Sequence, residues 1–196
     1  MFSTFSNESI RNFLVAMDRF SDRKRVLILI GGSAAALAYG IHHFTKDIDI
    51  FLDGADIDAQ ELQRLQSEAS QYTHLDIPVE LVSVADAPYN YQDRLEKIES
   101  IGTLQFLDLY CLERHDFFLM KIIRGYEHDI EHLIEIHKSH AFSVDILCER
   151  FIKEMDHVML DRRMLKNNFL NALSNIYADV AHIEQRLAIE ATWLTR

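Results

Sequence analysis

The chain is short of several things, and each shortage excludes a class of protein. Cysteine occurs twice in 196 residues, as Cys111 and Cys148. The two lie far apart in apolar segments, which rules out a disulfide framework and reads as two buried free thiols of a cytosolic protein. Basic residues are scarce: 20 Lys and Arg face 31 Asp and Glu, for a net charge of -11. A general nucleic-acid binder that works by neutralising phosphates is therefore disfavoured, although a local basic face can coexist with an acidic whole. Residues 51–111 are the most acidic stretch, with 12 carboxylates against Arg64, Arg94 and Lys97. No apolar run reaches membrane-spanning length and the N-terminus has no signal-peptide pattern, so the expectation is a soluble cytoplasmic protein without a membrane partner. Nor does any linker rich in Gly, Pro or Ser divide the chain, which at this length is one compact domain or one domain with a helical appendage, its boundary soft near residue 115.

The stretch from Leu27 to Leu52 organises the rest. Residues 26–30 form a run of branched apolar residues that ends at Gly31 and Gly32, where the backbone can turn sharply and approach a ligand. Ser33 is placed to cap a helix of strong helix formers, Ala34 to Tyr39, that stops at Gly40. The free amides at the start of such a helix attract anions. On the next predicted strand Asp47 and Asp49 stand two apart, so they share one face while Ile48 and Ile50 turn into the core. Two carboxylates so spaced make a hard-oxygen site for a divalent cation of the magnesium type. The three-glycine spacing of a dinucleotide-binding turn is absent from Gly31-Gly32-Ser33.

Around this unit the pattern predicts an amphipathic helix over residues 6–20, covering a sheet edge or face through Ile10, Phe13, Leu14, Met17 and Phe20. Asp22 to Arg25 reads as a solvated turn into the first strand. Residues 58–69 read as a surface helix with Leu62 and Leu65 inward, and Ile77 to Ser83 as a third strand whose Pro78 suggests an edge. Glu80 within it either lies on the wet face of the sheet or is a third carboxylate beside Asp47 and Asp49, with Asp76 as the other candidate. A loop follows from Ala85, with Tyr89 and Tyr91 as ordinary exposed tyrosines, and leads through a short amphipathic turn around Leu95 and Ile98 to a last strand over 105–112. Asp116 is placed to cap a helix carrying Lys121, whose ammonium either snorkels from an apolar face or reaches a triphosphate. Three helices complete the chain, over 127–136, 144–155 and 165–188. His128, His132, His137 and His140 lack the marks of a zinc site and read as solvent-facing. The fold class is thus α+β, a mixed sheet flanked by helices and followed by a helical C-terminal part.

Gly32, Ser33, Asp47 and Asp49 match a Gly-Ser pair at a helix start followed by Asp-x-Asp on the next strand. In this the chain resembles the polymerase-beta-like nucleotidyltransferase superfamily. The text around those residues looks most like the small stand-alone members related to AbiEii-type toxins of abortive-infection and toxin-antitoxin systems. Lys121 and Asp129 resemble that group's lysine helix and downstream aspartate, though His128 stands where a base is usual and His132 where a second acid is usual. The resemblance spans about residues 25–135. It implies a nucleotidyltransferase-like catalytic core over residues 1–115 with its N-terminal helix, and a helical region over 116–196 closing the cleft. It also implies a Mg²⁺-dependent enzyme that moves a nucleoside monophosphate from a nucleoside triphosphate to a hydroxyl of protein or RNA, in the setting of a toxin with an antitoxin partner. Asp47, Asp49 and Glu80 would hold the metal, Gly31, Gly32, Ser33, Lys46 and Asp129 would contact the nucleotide, and Lys121 would contribute charge. The alternative is a catalytically inactive interaction module or an antitoxin.

Overall fold

A computed structural model describes residues 4–41, 45–83 and 86–195. The chain forms two compact units, residues 1–85 with 95–112, and residues 86–94 with 113–196.

The first unit is built on a five-stranded mixed sheet in the order β3-β2-β1-β5-β4. Its strands are β1 (Arg25–Ile30), β2 (Ile48–Phe51), β3 (Val79–Val82), β4 (Glu96–Lys97) and β5 (Leu107–Cys111). β1 runs antiparallel to β2 and parallel to β5, β2 is parallel to β3, and β4 is antiparallel to β5. Helix α1 (Asn7–Phe20) starts where the Ser6 side chain accepts from the Ser9 amide. Its predicted stripe is real: Ile10, Phe13, Leu14 and Met17 are completely buried, each worth roughly 1.5–3 kcal/mol relative to exposure. Helix α3 (Ala59–Thr73) is capped by Asp58, whose side chain accepts from the Glu61 amide, and packs against α1. Leu27, Leu29, Ile48, Ile50, Leu107 and Leu109, alternate residues of three strands, are all buried.

Two charged residues lock this unit from inside. Asp18 accepts from the amides of Gln105, Phe106 and Leu107 at 2.9, 2.7 and 2.7 Å, tying α1 to the start of β5. Arg25 does not sit in a solvated turn: it opens β1, is 3 % exposed, and donates to Glu61 at 2.6 Å. Burial acts to raise the Glu61 pKa, but a hydrogen bond from Arg64, the largest influence, together with Arg25 lowers it to about 2. The two-residue strand β4 replaces what the sequence suggested was only a short turn around Leu95 and Ile98, since a piece this short carries no legible period.

The second unit, among the described residues, contains helices α4 (Arg114–Arg124), α5 (Glu127–Ser139), α6 (Val144–Glu154), α7 (Arg162–Ser174) and α8 (Ala181–Glu190), with short 3-10 turns over Tyr91–Arg94 and Thr192–Thr195. Its core is aromatic: Phe151 stacks on Phe169 with centroids 4.2 Å apart, and Phe118 meets Phe169 edge-on at 6.2 Å. The single long helix expected over 165–188 is two helices. Asn175 turns its side chain back to the Asn171 carbonyl, and Asp179 accepts from the Ala181 amide, so local side-chain bonds interrupt an otherwise continuous apolar stripe. Gly125 ends α4 at φ +61°, where the Asn168 side chain, donating to the Ile122 carbonyl, fills the place a Cβ would need.

Asp116 does not cap α4. Glu113 does, through the His115 amide, and Asp116 is fully buried instead. Arg94 grips it with Nε at 2.8 Å from Oδ2, and Arg150 lies 2.7 Å from Oδ1 and 2.6 Å from Glu113. Arg94 also reaches Glu154 at 2.7 Å, so residues 86–94 are fastened to α4 and α6. The loop predicted from Ala85 begins outside the described residues; within it Tyr91 is buried rather than exposed, and Tyr89 stacks on His157 at 4.3 Å. Cys111 and Cys148 are free and buried, and burial pushes the Cys148 thiol up to about 11.

Candidate active site

The site begins where β1 becomes α2 (Gly31–Ala38) with no intervening loop. Ile30 is still extended, at φ -130°, and Gly31 turns the chain at φ +67°, a conformation that costs an L-residue about 1–2 kcal/mol. Glycine is needed here for space as well: a Cβ on Gly31 would overlap the Asp49 carboxylate, and one on Gly32 would come within 2.8 Å of the Thr45 hydroxyl. The bare start of α2 is thus pressed against the chain that leads into β2.

Ser33 is not the cap of this helix. The helix starts three residues earlier than the sequence suggested, because Gly31 takes the sharp turn itself, and Ser33 falls inside the first turn, fully buried, donating to the Ile30 carbonyl at 3.1 Å. Ile30, the residue before α2, has no polar side chain to cap it, and the first amides of a helix attract anions.

Asp47 stands just ahead of β2 and Asp49 within it, both half-buried, while Ile48 and Ile50 are completely buried. Thr45, Asp47 and Asp49 follow a period of two. The Thr45 hydroxyl donates to the Asp47 carbonyl at 3.1 Å and lies 3.5 Å from its carboxylate. Thr45 is a site residue that the sequence motif does not include, although its position two before Asp47 was an available signal. Lys46, between them, is exposed.

Register settles which of the two further acids neighbours the pair. Asp49 lies opposite Ile30 of β1 and opposite Glu80 of β3, so Asp49 and Glu80 stand on the same face of adjacent strands. Asp76 lies ahead of β3 and has no place in that ladder. The expected convergence of three acids is nevertheless not formed: among the described residues no three of His, Cys, Asp and Glu gather closely enough to hold a metal ion. Glu80 is exposed on the outermost strand, where its longer side chain keeps its hydration rather than joining two like charges. What the sheet unit offers is a pair of half-buried carboxylates beside an uncapped helix start, with Glu80 one strand away.

Lys121 and Asp129 belong to the helical unit and are paired with each other. Lys121 is 3 % exposed and its Nζ lies 2.7 Å from Asp129 Oδ1, which also receives Arg124 at 2.8 Å. Asp129 is completely buried; burial favours its neutral form, but the Lys121 and Arg124 charges win and hold its pKa below the usual carboxylate value. Its second oxygen is buried without a hydrogen-bond partner. His132 is buried and not solvent-facing, because α5 turns Asp129, Ile130, His132, Leu133 and Ile136 inward together; His128 remains exposed.

A family described as "Nucleotidyltransferase of unknown function (DUF6036)" matches residues 8–182. No curated protein and no solved structure matches the chain.

Proposed function

Since the chain belongs to that nucleotidyltransferase family, the match covering most of its length, we propose that it moves a nucleoside monophosphate from a nucleoside triphosphate to a hydroxyl of a protein or RNA, the α–β phosphoanhydride breaking and pyrophosphate leaving, with Mg²⁺ as the cofactor. The observation that carries this reading is the placement of Asp49 directly over Gly31 at the uncapped start of α2. Phosphates drawn to the amides of that helix start would lie beside the Asp47 and Asp49 carboxylates.

The residues present fit the metal. Mg²⁺ is commonly bound through one or two carboxylates together with substrate phosphates, and keeps several waters. Asp47 and Asp49 provide that number of protein ligands on one strand face, and Glu80 is within one strand of them. Such an ion, when bound, neutralises phosphoryl oxygens and lowers the pKa of an attacking hydroxyl. The chain's own part is to orient. The amides of Gly31 and Gly32 would take the outer phosphates, Thr45 would hold the Asp47 backbone in place, and Glu80, exposed and on the same face, would accept the proton of the acceptor hydroxyl. Ser33, buried and donating to the Ile30 carbonyl, would shape the turn rather than bind phosphate. Lys46, exposed next to Asp47, would reach the nucleotide; the roles of Lys121 and Asp129, which lie buried against each other in the helical unit, rest on the resemblance alone. That same resemblance supplies the biological setting, a toxin whose antitoxin partner restrains it.

The test follows the label. The protein is incubated with Mg²⁺, a cell extract and each of the four triphosphates in turn, labelled at the α- or γ-phosphate, and protein and RNA are then separated. Transfer of α-label, lost in a folded Asp47→Ala variant, is expected. Movement of γ-label alone would show a kinase-type reaction, and no movement of α-label from any nucleotide would leave a catalytically inactive interaction module.

A further inference from the structure

The sheet ends in two unlike edges, and one of them is shaped to receive another chain. We propose that the outer edge of β3, with the groove that α3 lines beside it, takes up an extended basic segment of a partner protein as an added strand.

The backbone supplies the template. Ile48 donates to the Pro78 carbonyl at 2.9 Å and Leu52 to the Val82 carbonyl at 3.0 Å, so Pro78, Glu80 and Val82 are the residues that bond to β2 in the parallel register. Val79 and Leu81 therefore turn their N–H and C=O groups outward, and among the described residues no strand lies beyond β3. Just before them the Gln66 side chain of α3 donates to the Ile77 carbonyl at 3.2 Å, which closes the start of the edge and leaves Val79 and Leu81 as its open part. Alternating donors and acceptors at strand spacing are matched by an extended polypeptide. At the opposite end of the sheet β4 is only two residues long and carries exposed charges, a pattern that discourages pairing.

The surroundings select the occupant. A groove of about 480 Å³ is lined by Leu62, Gln63 and Gln66 of α3 and by Val79, Glu80 and Leu81 of β3, with room for apolar side chains of an added strand. Residues 53–82 carry seven carboxylates and one arginine, Arg64, which is engaged by Glu61 and Glu68. A second copy of this chain would bring the same acidic edge against itself, whereas alternating apolar and basic residues satisfy both the groove and the charge. A residue added opposite Glu80 would stand on the same sheet face at strand spacing, roughly 4.8 Å away. A lysine or arginine there would pair with Glu80, one strand from Asp49, and so restrain the site. That last consequence rests on the catalytic reading; the docking does not.

The probe is a capped ten-residue peptide of alternating lysine and valine, added to the full chain without nucleotide, with amide hydrogen exchange read residue by residue. Exchange at Val79 and Leu81 is expected to slow at least tenfold, and an alternating glutamate and valine peptide is expected to leave it unchanged. N-methylation of one alternate set of peptide amides should weaken binding tenfold or more, and of the other set hardly at all. Leu81→Pro, which removes an outward N–H without touching a bond to β2, should abolish the protection at Val79, the amide that remains to be read; should that variant not fold, the methylated peptides decide alone. Equal binding of both methylated peptides would reduce the effect to charge and overturn the proposal. Unchanged exchange at Val79 and Leu81 would overturn it as well, as would their protection in a dimer of the protein alone, detected by sedimentation. A chain that transfers no nucleotide but binds the peptide as expected would lose the catalytic reading and keep this one.

Discussion

In the helical unit both oxygens of Asp116 and both of Glu113 meet an arginine or a histidine, whereas in the sheet unit Asp47 meets a threonine hydroxyl and Asp49 lies over the backbone of Gly31. The first arrangement compensates buried charge where it stands. His115 shows how completely: its Nε2 accepts from the Ser143 amide at 2.8 Å, which puts the ring proton on Nδ1, facing Glu113 at 2.6 Å. With both nitrogens occupied, that histidine works as a structural post between α4 and the start of α6. The second arrangement keeps two half-buried carboxylates beside the start of a helix, where a ligand can reach them. The two sets of acids should therefore respond oppositely to substitution, one through stability and the other through activity.

The largest stability effect is expected at Asp116. Asp116→Ala leaves Arg94 and Arg150 without their shared counter-charge, and removal of one partner from a buried pair costs about 3–5 kcal/mol; urea unfolding of the full chain would measure it. Next comes the pH response of Glu113. Burial acts to raise its pKa, but the hydrogen bond from His115 and the Arg150 ion pair outweigh burial and bring it to about 2, from an ordinary 4.5. An acid depressed on folding contributes stability that is complete above its unfolded pKa and is lost as pH falls toward the folded value. The melting temperature should thus drop between about pH 5 and pH 2, by the equivalent of roughly 3 kcal/mol, and Glu113→Gln should flatten that part of the profile. Equal slopes in both proteins would assign acid sensitivity elsewhere.

Gly31→Ala lies between the two classes. The left-handed backbone alone costs about 1–2 kcal/mol, and the new methyl displaces the Asp49 carboxylate, so a modest loss in melting temperature should accompany a loss of α-label transfer far greater than stability explains. The smallest stability change is expected for Asp47→Asn with Asp49→Asn, within about 0.5 kcal/mol. Calorimetry should then show a nucleoside triphosphate binding no better with Mg²⁺ than with chelator, where the unsubstituted protein gains from the metal. A large destabilisation in that double variant would erase the contrast between the two sets of acids.

Local pattern was sufficient for the elements that position the candidate site. The branched run before Gly31, the glycine pair and the Asp-x-Asp spacing each act within a few residues, so the strand, the helix after it and the shared carboxylate face were legible directly, although the helix starts at Gly31 and not after Ser33. The apolar stripes of α1 and α3 were equally plain, since a period of 3.6 needs no tertiary information. The alternation of Glu80 put it in a strand, yet only the register of β2 with β3 could put it opposite Asp49 rather than leave the choice with Asp76.

Other features depended on partners distant in sequence. Asp116 looked like a cap because cap chemistry is local, and its actual role needs Arg94, 22 residues earlier, and Arg150, 34 later. The assignment of residues 86–94 to the helical unit follows from the same contacts. Arg25 looked solvated until Glu61 of α3 was placed beside it. The break between α7 and α8 was hidden under a stripe that continues through it in sequence. By itself the sequence determined most of the strands and helices and that two carboxylates share a face beside a glycine turn, because those depend on backbone periodicity and on the steric freedom of glycine. Only the tertiary structure decided which strand neighbours Asp49, that Asp49 closes over Gly31, and which buried charges compensate one another, because ladder register and ion pairing are set by groups that the chain brings together only on folding.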